Sequence, residues 1–370
     1  MILGLFFSRD MSIEKWHRLG LLDREKLVYE AHLNCGTLDK VYCFTYGVTD
    51  RDFSYLVHKD FNIIPMPSIF NSKIGINFYS FFLPFVQARH IKQCHILKND
   101  QMDGSWSAVL AKILLRKKLL IRTGFTLSVF MHQKNAKLKE LIAILMEKFA
   151  YFFCDYATVS SQHSKDYIIK KYHLMNKNVG VIYNYIDTDK FTVIENINKK
   201  YRLLFIGRLD SQKNLINLFY ALGDVKIGLD VYGDGTLKGE LVRLAAKLEI
   251  DVRFLGKIAN DQMPNIMNQY TYYILPSVYE GMPKTLIEAM SCGLICIGTN
   301  TLGINEIMNN ETGYLIPGTD SSDIASTIIK AVNSRDNNSI AQHAKSFARH
   351  KFSLGEYALK ESDIFSYLMR

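Results

Sequence analysis

Short apolar runs alternate with amphipathic helical stretches through the second half of this chain, and that alternation fixes its fold class. Leu203–Ile206, Ile227–Tyr232, Val252–Leu255, Tyr272–Leu275, Leu294–Ile297 and Tyr314–Ile316 read as buried strands. Helical patterns such as Leu237–Leu248 and Pro283–Cys292 lie between them. A strand that is apolar throughout is covered on both faces, and a helical crossover delivers the chain to a parallel neighbour. The expectation is an α/β fold with a parallel sheet. The first half repeats the theme less regularly. Strands are expected at Ile2–Phe7, Val41–Thr45, His95–Leu97, Leu119–Arg122, Ala157–Val159 and Val179–Tyr183. Helices are expected at Arg24–Asn34, Ser105–Leu115, Leu138–Phe153 and Ser164–Tyr172.

A chain of 370 residues suits two domains. The polar stretch Asn184–Phe191 joins the strand-rich halves. Two Rossmann-like, doubly wound domains facing a deep cleft form the simplest architecture. The expected division is 1–183, 184–352 and a C-terminal helix at 353–370 that packs back on the first domain.

The net charge of +9 is uneven. Residues 1–183 hold 25 Lys/Arg against 15 Asp/Glu, and residues 184–370 hold 20 against 21. A basic half beside a neutral one suggests that the first half meets something anionic. The six cysteines are scattered with no CxxC, which fits packing roles in a reducing cytoplasm. The apolar start, Met1–Phe7, has no basic n-region and is too short for a signal peptide, so a buried strand is expected there. No run approaches the roughly 18 apolar residues of a membrane span. Phe78–Phe85 is strongly aromatic and Leu138–Phe153 is amphipathic with lysines around it. Both could cover the first sheet. They could instead form an interfacial surface drawn to anionic lipid on the inner face of a cytoplasmic membrane.

The most chemical feature is the pair Glu280 and Glu288 in Glu-Gly-Met-Pro-Lys-Thr-Leu-Ile-Glu. Glu280 follows the Tyr272–Leu275 strand and a Pro-Ser turn. Glu288 is expected two turns into a helix opening near Pro283, a residue suited to a first helical turn. Two hydroxyl acceptors beside a helix N-terminus match a ligand with hydroxyls at both ends and a diphosphate in the middle. The Leu203–Ile206 strand ends in Gly207-Arg208, with Lys213 soon after. Ligands of open α/β sheets bind beyond the carboxyl ends of strands, so these cations belong at the same edge. Arg can clamp a phosphate with two donors, and Lys adds a point charge.

Five motifs occur in order: Gly-Arg-x4-Lys at 207–213, Tyr-Gly-Asp-Gly at 232–235, Val-Arg-Phe-Leu-Gly at 252–256, Leu-Pro-Ser-x2-Glu-Gly-x-Pro-Lys-Thr-x2-Glu-Ala-Met at 275–290, and Gly-Tyr-Leu-Ile-Pro at 313–317. This series resembles the group 1 glycosyltransferases, the family-four retaining enzymes of GT-B fold. Tyr183-Asn184-Tyr185-Ile186-Asp187-Thr188 with Phe191 is similar to their interdomain segment, although Tyr185 stands where Gly is common. The resemblance implies that Gly207, Arg208 and Lys213 hold the donor diphosphate, that Glu288 accepts from the ribose, and that Glu280 holds a hydroxyl of the transferred sugar. Gly281, Met282, Pro283, Lys284 and Thr285, with Thr301–Gly303, would meet sugar and phosphate through their backbone. Lys257 and Ile258 would border the base. Arg208, Lys213 and Glu280 would be the catalytic groups. Charge fixed on the departing phosphate lowers the barrier to glycosyl transfer without a metal. The resemblance also implies retention of configuration, a UDP- or GDP-sugar donor, and a glycan acceptor, lipid-linked in cell-surface polysaccharide assembly. No cofactor, metal or nucleic acid is expected.

Several strings invite other readings. Asp50-Arg51-Asp52 and Asp187-Thr188-Asp189 have metal-ligand spacing, but spacing alone does not build a site. Gly233-Asp234-Gly235 is followed by Gly239, one position late for a dinucleotide fingerprint, so a tight turn is expected. Where the family often carries His near residue 120, this chain has Arg122-Thr123-Gly124, and His132 lies too far downstream to replace it; Arg122 itself could face the donor or acceptor phosphates or serve a structural role. Trp16, Trp106 and the Lys98–Gln101 turn are acceptor-side candidates against a plain packing role. A sugar-nucleotide epimerase or a phosphorylase would use two such domains, and a basic nucleic-acid-binding protein would share the high pI.

Overall fold

The computed structural model describes residues 1–370 apart from 134, 135 and 176. It divides into two compact units, Met1–Tyr183 with Leu354–Arg370, and Asn184–Ser353. Each is built on one parallel sheet.

The first sheet contains β1 (Ile2–Phe6), β2 (Lys40–Phe44), β3 (Phe61–Ile64), β4 (Ile96–Asn99), β5 (Lys118–Thr123), β6 (Tyr156–Val159) and β7 (Val179–Val181), in the order β3-β2-β1-β4-β5-β6-β7. Leu3 of β1 sits opposite Val41 on one side and Ile96 on the other. Leu3, Leu5 and Phe6 are fully buried, as a strand covered on both faces requires. The sequence reading missed β3, a four-residue edge strand interrupted by Asn62. It also missed the Lys73–Val86 helix. Pro84 stands near the end of that helix and brings no N–H to the carbonyl of Ser80. The Ser107 hydroxyl donates to that carbonyl instead, at 2.7 Å, and fastens the helix to its neighbour Ser105–Leu115.

The C-terminal helix, Leu354–Met369, packs against Leu27–Asn34 within the first unit. Glu361, fully buried, accepts from Lys98 Nζ at 2.6 Å and pairs with His32 Nε2 at 3.1 Å. Burial alone would raise this carboxyl, but the Lys98 ammonium and His32 overcome it and hold the group down at about 2.

The second sheet contains β8 (Lys200–Ile206), β9 (Leu229–Tyr232), β10 (Val252–Gly256), β11 (Tyr270–Leu275), β12 (Ile295–Thr299) and β13 (Tyr314–Ile316), in the order β10-β9-β8-β11-β12-β13, all parallel. Both sheets therefore reverse strand order once, at β1/β4 and at β8/β11. At such a reversal the connections leave in opposite directions and open a crevice at the carboxyl edge.

Candidate active site

The β8/β11 reversal gathers most of the residues singled out in the sequence. β8 runs out into Gly207–Asp210, and a tight turn at Ser211–Lys213 follows. The segment after β9 lies directly on this one. Leu209 N donates to Asp234 O at 3.0 Å, and Gly207 N donates to Tyr232 O at 3.0 Å. A Cβ on Gly233 would stand 1.8 Å from Gly207 O, and one on Gly235 would stand 2.4 Å from Leu209 O. The glycines of Tyr-Gly-Asp-Gly thus allow two backbones to touch, which is more than the simple turn expected there.

Lys213 and Glu280 meet across the reversal. Lys213 Nζ lies 2.5 Å from Glu280 Oε1, and both side chains are nearly buried. Gln212 Nε2 reaches Glu280 Oε2 at 3.4 Å and donates to Tyr279 O at 2.9 Å. Arg208 stands exposed at the rim, paired with Asp210 at 3.2 Å and donating to Gln212 Oε1 at 3.3 Å. The ammonium and the carboxylate form one paired unit. Such a pair can turn toward an anion with its cationic half and toward a hydroxyl with its anionic half.

The helix Lys284–Ser291 begins one residue later than expected. Pro283 is its cap, with extended backbone (φ −74, ψ 104), and not its first helical residue. Glu288 is the fifth residue of the helix, just over one turn in rather than two. It is buried, as are Leu286, Ile287, Ala289 and Met290. The start of the helix is pinned from below: the buried Tyr273 hydroxyl of β11 donates to Thr285 Oγ1 at 2.8 Å. Lys284 Nζ sits 4.9 Å from the centre of the Tyr185 ring, so the residue that replaces the family's usual Gly meets the helix opening. Asn184 N donates to Met282 Sδ at 2.9 Å. Gly303 has φ +85, and a Cβ there would stand 2.4 Å from Glu280 O, so only glycine lets the Thr301–Gly303 turn lie against Glu280–Gly281. Lys257 is exposed 3.7 Å from Asp234, and Ile258 beside it is half-buried.

Sequence reasoning missed a set of hydroxyls. Ser277 Oγ, Thr299 Oγ1 and Thr301 Oγ1 are buried and have no hydrogen-bond partner among the described residues. They stand at the carboxyl ends of β11 and β12, where an unsatisfied polar atom suits a ligand-facing edge. Hydroxyls after strands are too common for the sequence to mark them.

The remaining candidates make packing and hydrogen-bond contacts of their own. Trp16 is buried against Phe7, and Trp106 packs edge-to-face on Phe81. Lys98 belongs to the Glu361 pair. Arg122 Nε donates to Tyr357 Oη at 3.0 Å and Nη1 donates to Asp100 O at 3.2 Å. Asp100, at the β1/β4 reversal, is pushed up to about 7 by burial and then by Glu25, against the pull of Arg122 and Lys98. Asp50 caps the helix at Ile13–Arg18 by accepting from Ile13 N and Glu14 N, and Asp187 closes a turn on Asp189 N and Lys190 N. Among the described residues no three His, Cys, Asp or Glu side chains gather as metal ligands. His132 is exposed and bonded to Glu140.

Family comparison accords with this geometry. Residues 187–350 match the model for Glycosyl transferases group 1, and residues 39–190 match that for Glycosyltransferase Family 4. The chain belongs to the group 1 glycosyltransferases. It is 26% identical over 63% of its length to an N-acetylgalactosamine-N,N'-diacetylbacillosaminyl-diphospho-undecaprenol 4-alpha-N-acetylgalactosaminyltransferase of Campylobacter jejuni, of which the match spans 67%. It is 26% identical over 54% of its length to a UDP-Gal:alpha-D-GlcNAc-diphosphoundecaprenol alpha-1,3-galactosyltransferase of Escherichia coli, of which the match spans 57%. Among solved structures, Anabaena HepE in complex with UDP and glucose aligns over 99% of both chains with a TM-score of 0.75 at 17% identity. The lipopolysaccharide outer core galactosyltransferase WaaB aligns over 99% of this chain and 100% of its own with a TM-score of 0.70 at 18% identity. The fold is that of the GT-B glycosyltransferases, with two Rossmann-like parallel sheets.

Proposed function

We propose that this glycosyltransferase moves a sugar from a nucleoside diphosphate donor to a lipid-linked glycan in cell-surface polysaccharide assembly. The observation that carries the reading is the β8/β11 edge. There Arg208, the Lys213–Glu280 pair and the opening of the Lys284–Ser291 helix stand together, with Glu288 just over one turn inside. Arg208, Lys213 and the helix opening would hold the diphosphate. Glu288 would accept from the ribose, and Glu280 from the transferred sugar. Lys257 and Ile258 would border the base, which we take to be uracil, with GDP-sugars as the second choice. The Escherichia coli relative's name specifies UDP-Gal, and the Anabaena structure holds UDP.

In the proposed reaction the bond from the anomeric carbon to the diphosphate oxygen breaks while a bond to the acceptor oxygen forms. Negative charge grows on the departing phosphate. Arg208 and Lys213 oppose it from fixed positions, which lowers the barrier with no metal needed. Attack from the face of departure retains configuration, and the acceptor proton passes to the leaving phosphate. The acceptor reading draws on the relatives, two of which are named for diphospho-undecaprenol-linked sugars. An acceptor of that kind would bring the enzyme to the membrane peripherally, since no helix among the described residues is long and apolar enough to cross one.

The test is turnover of a panel of UDP- and GDP-sugars with a lipid-diphosphate-linked glycan. Arg208→Ala and Glu288→Ala should each lower transfer by roughly 100-fold or more. Near wild-type transfer by both would sink the site assignment. Conversion of the nucleotide sugar without an acceptor would favour an epimerase.

A further inference from the structure

Two helices of the first unit carry apolar stripes that face solvent instead of the core. On Lys73–Val86 the exposed side chains include Phe78 (57% exposed), Phe82 and Phe85 (60%), spaced to lie on one face. On Lys137–Phe153 they include Leu138 (72%), Leu141 and Leu145, again on one face. Between them lies the helix Ser105–Leu115, which packs against both and exposes Ile113 and Leu114. The Phe81–Trp106 ring contact and the Ser107–Ser80 hydrogen bond lock the first pair together. The three outer faces are therefore neighbours on one unit. Scattered surface leucines need no explanation, but a contiguous apolar face on adjacent helices does.

The charge around this face says what covers it. Residues 73–153, which include these helices and the strands between them, contain thirteen Lys/Arg and four Asp/Glu, and of the cations Lys98 and Arg122 are bonded inside the unit, which still leaves a large positive excess. The four acids are all engaged. Asp100 and Glu147 are buried, Glu147 accepting from Ser128 and Tyr172. Asp103 pairs with Arg9, and Glu140 bonds His132. Lys73, Lys137, Lys139 and Lys148 are exposed on the same two helices as the stripes. A second copy of the chain would set one lysine-bearing face against another. Nucleic acid would match the charge but would leave the leucines in water. Aromatic and aliphatic groups ringed by lysine suit an interface that is apolar within and anionic at its surface.

We propose that the outer faces of Lys73–Val86, Ser105–Leu115 and Lys137–Phe153 dock on an anionic lipid bilayer. This names the surface for the peripheral association proposed above. It needs no sugar chemistry, so it can fail or hold independently of the transferase reading.

Flotation of the full chain with vesicles tests it. Wild type should float with phosphatidylcholine vesicles containing about 30 mol% phosphatidylglycerol, and at least roughly tenfold less with pure phosphatidylcholine. About 0.5 M salt should weaken the binding. The triple variants F78S/F82S/F85S and L138Q/L141Q/L145Q should each lose roughly tenfold or more in partitioning while keeping the wild-type melting temperature and elution volume. K73E/K137E/K139E should fall to the level seen with neutral vesicles. Failure of the wild type to float, equal binding to both vesicles, or triple variants that float like wild type would overturn the proposal. So would a wild-type dimer that the triple variants convert to monomer, since a second copy would then cover the face. A marked fall in the variants' melting temperature would also overturn it, because the stripes would then be part of the folded core.

Discussion

Lys213 and Glu280 are separated by 67 residues and joined by one short ion pair that water hardly reaches. Removing the ammonium would strand a carboxylate in a poorly solvated place, and breaking such a pair costs about 3–5 kcal/mol. Lys213→Met is therefore expected to lower unfolding free energy by about 3 kcal/mol and donor turnover by roughly 100-fold. Glu280→Gln leaves Lys213 without its counter-charge but keeps an oxygen for it, and Lys213 is less fully buried than Lys98, so this change should cost less than Lys213→Met while still slowing transfer. Urea unfolding and donor turnover on both variants check this, and a Lys213→Met enzyme within threefold of wild type would remove Lys213 from the mechanism. At this scale the sequence was informative about identity and silent about pairing. Arg208, Lys213, Glu280 and Glu288 stood out because ordered motifs frame them. That Lys213 answers Glu280 depends on β8 and β11 lying side by side, which no local pattern records. The hydroxyls of Ser277 and Thr299 went unread because hydroxyls after strands are common and no local pattern marks the ones that the fold leaves without a partner.

Strands and helices were legible where they were long, apolar and bounded by turns. All six strands of the second sheet fall on expected runs. In β11 and β12 burial on both faces leaves a continuous apolar signature, whereas β10 is marked by Val252, Phe254 and Leu255 although it lies half-exposed at the edge. β3 escaped although Phe61, Ile63 and Ile64 are buried, because four residues broken by Asn62 make too short an apolar run to stand out, and the Lys73–Val86 helix escaped because its apolar stripe faces outward and Pro84 interrupts it. The contact between the β8 and β9 connections was only half legible. The glycines were visible, but their reason was not. Gly233 has φ +153, and any Cβ there would fall 1.8 Å from the Gly207 carbonyl oxygen. Gly233→Ala must push Gly207–Asp210 away from the β9 connection, so it should cost about 2–4 kcal/mol in urea unfolding. It should also slow transfer, because Arg208 rides on the displaced segment. Gly239 offers a control within the same sequence string: a Cβ there meets nothing within 4 Å. Gly239→Ala should be neutral or mildly stabilising. Equal behaviour of the two variants would show that the close approach does not matter.

For the molecule as a whole, the notable fact is that residues far apart in the chain complete one core. Leu354–Arg370 belongs with Met1–Tyr183 rather than with the unit that precedes it. The tie is electrostatic as well as apolar, since Lys98 and Glu361 are both fully buried and 263 residues apart. The sequence offered the helix but not the bond, because a lone Glu on a C-terminal helix reads as solvated. The pH dependence of stability should expose it. Glu361 is held at about 2 in the folded chain, against an ordinary value of 4.5. A carboxyl lowered on folding contributes stability that is fully present above its unfolded value and is lost as pH falls through the folded one. The contribution should therefore be constant above about pH 5 and drain away between about 4.5 and 2. Glu361→Gln leaves Lys98 buried without its counter-charge, so it should cost about 3–5 kcal/mol at pH 7. The gap between wild type and variant should narrow toward pH 2, where the wild-type carboxyl also becomes neutral. The double variant Lys98→Met with Glu361→Leu should recover much of the loss, because replacing a buried pair by apolar groups of similar volume is often neutral. Unfolding curves for the three proteins across that pH range decide it. A gap that stays constant down to pH 2 would mean that Glu361 stabilises the helix by packing rather than by charge.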